Sequence, residues 1–177
     1  MAEQKEPWRY IDLQVRNLDA FFNTMDPSPL RERDLSDAAD EFIVGWAREI
    51  PITMPIKLRI HFAEKETEDH TAMLREAVHH YFMHRREMTA LEFRALMRQA
   101  RTSLLIGTVF LTLCLLAGNY LLTEGHGTFF HILRESLVIA GWVAMWRPIQ
   151  LYLYDWWPLR QRRHLYEKLS KMPIEVA

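Results

Sequence analysis

The sequence predicts a membrane protein in which a small α/β domain precedes a two-helix transmembrane hairpin. Three observations carry that prediction. Leu104 to Leu122 runs nineteen residues without a charge, and about twenty helical residues, rising about 1.5 Å each, cross a hydrocarbon layer of about 30 Å. A second apolar stretch, Phe129 to Tyr154, follows a short turn containing Gly125 and Gly127, and only Arg134, Glu135 and Arg147 interrupt it with charge. Ahead of both, residues 1–88 are polar on average and alternate between strand and helix patterns.

The predicted organisation is a cytosolic α/β domain over 1–88, a hairpin with its entering helix over 89–157, and a basic cytosolic tail over 158–177. Tyr10 to Arg16 alternates, with Ile11, Leu13 and Val15 on one face and Asp12, Gln14 and Arg16 on the other, the pattern of a half-buried strand. A short helical turn over Asn17–Met25 ends at Asp26-Pro27-Ser28-Pro29, where Ser28 is placed to cap a helix that Pro29 begins. Ser36 caps a longer helix, with Asp37, Asp40 and Glu41 near its positive end. The expected apolar stripe of that helix is Ala39, Phe42, Ile43, Trp46, Ala47 and Ile50, and Pro51 stops it.

A second strand places Ile56, Leu58, Ile60 and Phe62 on one face and Lys57, Arg59 and His61 on the other. Strand, helix and strand imply a crossover that leaves the two strands parallel. After the acidic run Glu64–Asp69, Thr67 is placed to cap a helix whose stripe is Met73, Leu74, Ala77, Val78, Tyr81 and Phe82. Thr89 and Glu92 have the spacing of a capping box, with Met88 and Phe93 as its staple, so a new helix is expected from Thr89 into the first span. Two strands are too few to stand alone in water, so a third strand, another copy or another protein must complete the sheet.

A net charge of −1 offers no argument for nucleic acid. The distribution of charge says more. Arg94, Arg98 and Arg101 precede the first span, Arg160, Arg162, Arg163, Lys168 and Lys171 follow the second, and the connecting turn has no Lys or Arg. The positive-inside bias then puts both termini in the cytoplasm, as expected of a multi-pass protein of a bacterial inner membrane. The N-terminus has no apolar core of a signal peptide. Cys114, the single cysteine, reads as a small apolar residue of the first span.

Glu135 is the most informative candidate for function. An acid inside a span costs a few kcal/mol unless it is paired or faces water, and Asn119 across the hairpin or His131 one turn earlier is placed to meet it. The plainer reading pairs it with Arg134 of a neighbouring subunit. Ser136, Ala140 and Ala144 recur every four residues, with Gly141 beside them, a spacing that lets helices approach closely. Arg94, Arg98, Arg101, Arg160, Arg162 and Arg163, with Trp156 and Trp157, are placed at headgroup depth. Pro148 is expected to kink or end the second span.

His79, His80 and His84, with Glu76 or Glu87, share a helix face in a way that invites a metal, as do Glu124, His126 and His131 at the turn. A solvated face and a tight turn explain both groups more simply, and no metal or cofactor is expected. Arg16, Lys57, Arg59 and His61 form a basic sheet face without the Gly-rich loop of a phosphate site. No Ser, His and acid stand at catalytic spacing, so no enzymatic activity is expected.

The segments Gly141-Trp142-Val143-Ala144-Met145-Trp146-Arg147-Pro148 and Tyr154-Asp155-Trp156-Trp157-Pro158, together with Asp26-Pro27-Ser28-Pro29, resemble small uncharacterised bacterial two-span inner-membrane proteins. That resemblance implies no activity and no functional residue. The order of soluble domain, long helix, short outer turn and second span is similar to that of the mitochondrial calcium uniporter. The acidic Trp-Asp-x-x-Glu-Pro motif of the uniporter is absent here, so only topology is shared. The expected function is that of a homo-oligomer or an accessory subunit docking a membrane partner in contact with lipid. The rival is an oligomeric ion channel with Glu135 facing the pore.

Overall fold

The computed structural model describes residues 8–63, 71–124 and 127–176, with side chains of 121–124 left aside. The chain divides into two compact units, one of Met1–Thr89 with Gln161–Ala177 and one of Ala90–Arg160.

The first unit is built on a three-stranded parallel sheet. Strands β1 (Arg9–Val15) and β2 (Ile56–Phe62) pair with Ile11 opposite Leu58 and Leu13 opposite Ile60. The parallel pairing expected of the crossover is therefore present. The missing strand comes from the far end of the chain: β3 (Ile174–Val176) pairs with β2, Ile174 opposite Leu58 and Val176 opposite Ile60. The segment expected to be a basic tail thus carries a strand, and the sheet order is β1-β2-β3. Ile11, Leu13, Ile56, Leu58, Ile60 and Ile174 are all buried on one face.

Between β1 and β2 lie α1 (Leu18–Phe21) and α2 (Asp37–Glu49). Asn17 caps α1 by accepting from the Ala20 N–H at 3.0 Å. Ser36 caps α2 as expected, and its hydroxyl also donates to the Ala20 carbonyl. No helix begins at Pro29. Ser28 instead gives its backbone N–H to Asp26 Oδ1 at 2.9 Å, and Asp26 Oδ2 accepts from the Asp34 N–H at 2.9 Å, closing a loop. These backbone donors, Asp34 first, hold the Asp26 carboxyl below its ordinary range. An Asx turn competed with the predicted cap and satisfied more donors.

The stripe of α2 also differs from expectation. Ala39, Ile43, Val44 and Ala47 face the core, whereas Trp46 is half exposed and Phe42 leans outward beside it. Both aromatics fit the helical period, but they lie at the margin of the apolar arc, where the sheet is too narrow to cover them.

Helix α3 (Thr71–Glu124) is continuous over 54 residues. Thr67 and the acidic run Glu64–Asp69 lie outside the described residues. The predicted helix start at Thr89 is absent. Thr89 is buried in mid-helix, and its hydroxyl donates to the Arg85 carbonyl at 2.8 Å. That i−4 bond satisfies the side chain without opening the helix, and no Gly or Pro precedes it to break the ladder. The expected stripe holds: Leu74, Ala77, Val78, Tyr81 and Phe82 are buried, and Met73 is half-buried.

The second part of the core comes from α6 (Trp156–Leu169), reached through α4 (Thr128–Ala144), α5 (Trp146–Gln150) and a π-helical turn, Leu151–Asp155. Leu165, Tyr166, Leu169 and Met172 are buried in the first unit, and the Tyr166 ring stacks on Phe82. Asp40 Oδ2 accepts from Arg85 Nη2 at 2.6 Å, and the guanidinium lies over the rings of Tyr81 and Tyr166. Burial, then the Asp40 charge, push the Tyr81 phenol upward.

Replacing Ile174 with Ala should remove about 2–5 kcal/mol from the unfolding free energy of this unit, because the side chain is 2% exposed on a three-residue strand. Denaturant unfolding of the full chain measures this. An unchanged midpoint would mean that β3 adds nothing to the sheet.

Candidate functional site

The sequence predicts a basic outer face for the sheet, with Arg16, Lys57, Arg59 and His61 upon it. In the structure it is a ladder of alternating charge. Glu175 accepts from Lys57 and lies 3.6 Å from Arg59, Arg59 reaches Asp12 at 3.5 Å, and Asp12 meets His61 at 3.6 Å. The Arg59 guanidinium also covers the Tyr10 ring at 4.4 Å. A groove of about 800 Å³ runs beside it, lined by Asp12, Gln14, Arg16, Ser36, Phe42 and His61 among others. Acids supplied by β1 and β3 engage the cations of β2, so the ladder joins three strands instead of cradling an anion.

His79 gives its ring nitrogen to a structural contact, 2.8 Å from the Met172 carbonyl. Among the described residues no cluster of His, Cys, Asp and Glu could hold a metal. His126 and Gly125 lie outside the described residues.

The second unit is a helical hairpin formed by the Ala90–Glu124 part of α3 with α4, α5 and the π turn. Its helices run antiparallel, because Gly118 lies beside Arg134, Leu111 and Cys114 beside Gly141, and Gly107 beside Ala144 and Pro148. Glycine sets this approach. A Cβ on Gly141 would fall 2.8 Å from Leu111 Cδ1, and one on Gly107 would fall 3.2 Å from the Ala144 carbonyl oxygen. Pro148 has no N–H to offer that carbonyl, and Gly107 leaves room beside it.

The small-residue spacing, which suits packing within a hairpin and contact between copies alike, is divided between two faces of α4. Gly141 is buried at the contact and Ala144 borders it, while Ser136 and Ala140 stay exposed on the outer side. A rotation of one residue separates the two faces of α4, and spacing alone cannot choose between them. Pro148 bends the register without ending the helix: α5 and the π turn continue it into α6.

The expected contact of Glu135 with Asn119 or His131 is not formed. Arg134, not Glu135, stands opposite the first helix, its Cγ 3.2 Å from where a Gly118 Cβ would lie. Glu135 is exposed and has no hydrogen bond or ion pair among the described residues, nor has Arg134. By contrast, three hydroxyls in the hairpin are satisfied locally. Thr102, Thr112 and Ser136 each donate to the carbonyl four residues earlier.

The open end of the hairpin carries Arg94, Arg98 and Arg101 on the entering helix and Leu151–Arg160 on the returning one. Trp156 gives its indole N–H to the Tyr152 carbonyl, which the π turn leaves available, and packs edge-on against Trp157. Arg160 lies over the Trp156 ring, and Arg147 meets Asp155 at 3.5 Å across the π turn. Arg94, Arg98, Arg101 and Arg160 are exposed, so this end joins aromatic rings to cations. Arg162 and Arg163, also exposed, belong to the first unit.

Both helical stretches are long and apolar enough to cross a membrane, with best windows of mean hydropathy 1.8 and 1.2. Only 17% and 6% of those windows are buried. Leu105, Ile106, Leu116, Ile139 and Val143 each expose more than three-fifths of their surface.

The ladder on the sheet makes a pH-dependent prediction. The Lys57 hydrogen bond holds the Glu175 carboxyl below its ordinary value of 4.5. A depressed acid contributes stability that is complete above the unfolded value and disappears as pH falls through the folded one. Glu175→Gln should therefore unfold more easily than the parent at neutral pH. The two proteins should converge once acid protonates Glu175. A gap that persists unchanged at low pH would contradict the pairing.

Compared with known proteins, the chain matches no family model, no curated protein and no solved structure.

Proposed function

We propose that this chain is a two-span protein of a bacterial inner membrane, with both termini and its α/β unit in the cytoplasm. It works without catalysis, by assembling with copies of itself or by docking a membrane partner as an accessory subunit. The observation that carries this reading is the uncovered apolar surface of the hairpin. A soluble monomer rarely leaves a contiguous apolar patch larger than a few hundred Å² in water. Here large side chains from Leu104 to Trp157 are exposed along both helices, and lipid is the solvent that suits them.

Three further features support the reading. Backbone groups in hydrocarbon must be satisfied within the segment, and the apolar stretches are helical, with the Thr112 and Ser136 hydroxyls bonded to helix carbonyls. Basic residues gather at the open end of the hairpin and none occurs between Leu122 and Phe129, which favours a cytoplasmic open end. The Trp156–Trp157 pair with Arg160 suits an interface where rings meet headgroups and guanidinium meets lipid phosphate.

A second reading, an oligomeric ion channel, is favoured by one observation: Glu135 is exposed and unpaired within an apolar helix. Helix geometry puts it about 10 Å from the tip of the hairpin, where a carboxylate needs a counter-charge or water. Ion flux into vesicles that depends on Glu135, and vanishes in Glu135→Gln, would select the channel.

Topology tests the shared premise. Reporters at Met1 and after Ala177 should register cytoplasm, and a reporter inserted at Gly127 should register the opposite side. Opposite signals from the two termini would rule out two spans.

A further inference from the structure

Arg134 and Glu135 are consecutive, opposite in charge, exposed, and unpaired among the described residues of an otherwise apolar helix. We propose that copies of this chain associate through these two residues, the Glu135 carboxylate of one hairpin meeting the Arg134 guanidinium of the next. The inference rests on the two-span reading and supplies the partner that reading leaves open.

Depth makes the pair self-complementary. Copies inserted in one orientation hold equivalent residues at equal depth, and consecutive helical residues differ by only about 1.5 Å along the axis. Glu135 of one copy therefore stands level with Arg134 of another. Direction matters as well. Adjacent residues point about 100° apart around a helix, and Arg134 leans across Gly118 toward the seam between α3 and α4. Glu135 faces away from that seam. One side of the hairpin thus presents an acid and a different side a base, the arrangement of a head-to-tail contact between copies.

The acidic side is free of the hairpin's own contact: Gly141, which packs α4 against α3, lies about 120° around the helix from Glu135, so the two contacts do not compete. Pairing also relieves the cost of holding each charge alone in lipid. It takes Glu135 out of any pore and so argues against the channel.

Charge reversal of the full chain, purified in detergent and in lipid nanodiscs and weighed by native mass spectrometry, tests this. The parent should be a homo-oligomer. Arg134→Glu and Glu135→Arg should each weaken association by about tenfold or more, and the double exchange R134E/E135R should restore it. Glu135→Gln, which inserts without a new charge, should weaken it too. A parent that needs no detergent to leave the membrane fraction would overturn the two-span premise. A parent that is membrane-embedded but monomeric, or bound in fixed ratio to a different protein, would overturn the pairing alone. So would single variants that keep the parent mass, or a double exchange that stays small.

Discussion

Apolar surface without a cover within the chain is the constraint to which the other features of the hairpin answer. A leucine moved from water into an apolar surrounding gains about 2 kcal/mol, and residues such as Leu105, Leu116 and Ile139 realise little of that gain inside this chain. Within the hairpin, packing therefore cannot rest on apolar burial. It rests on close backbone approach, which explains why glycine stands at Gly107, Gly118 and Gly141 where the helices meet. Cys114 fits the same logic, since it is buried against Gly141 and a larger side chain would separate the pair.

The α/β unit obeys the opposite rule. Its core is made by burial, with Phe21, Phe22, Phe82, Leu58 and Leu169 essentially inaccessible. It is closed by residues that follow the hairpin in sequence: α6 brings Leu165, Tyr166 and Leu169, and β3 brings Ile174. A chain that leaves the unit after Thr89 and returns at Gln161 commits the unit's stability to segments on both sides of the hairpin. Damage to the C-terminal strand is then damage to the domain that the N-terminal residues begin.

Much of this was legible in the sequence, and the gaps have physical causes. The two apolar helices were readable because length and absence of charge decide them without tertiary context. The alternation in β1 and β2 and the Ser36 cap were readable because each is a local signal. The third strand was not, since Ile174-Glu175-Val176 is too short to show a period and only its pairing with Leu58 and Ile60 defines it. Thr89 misled because a capping box and an i−4 back-bond use the same residue, and helix continuity chose the latter. Phe42 and Trp46 misled because an apolar arc was wider than the surface available to cover it. At the candidate site the sequence singles out Glu135 as an acid in an apolar helix, and the structure places it in α4, exposed. The contact with Asn119 inside the hairpin does not form, because the register sets Arg134, not Glu135, beside Gly118.

The central claim is that lipid covers the exposed faces of the hairpin. Site-directed spin labels in a Cys114→Ala background, with the chain in bilayers, test it most directly. Labels at Leu105, Leu113 and Val143 should collide with dissolved oxygen and be protected from a water-soluble nickel chelate, with Leu113 the deepest, while labels at Arg94 and Arg163 should be open to the chelate. Free access of the chelate to Leu105 and Leu113 would contradict the account, as would protection of both from oxygen and chelate alike, because covering protein and not lipid would then be their surroundings.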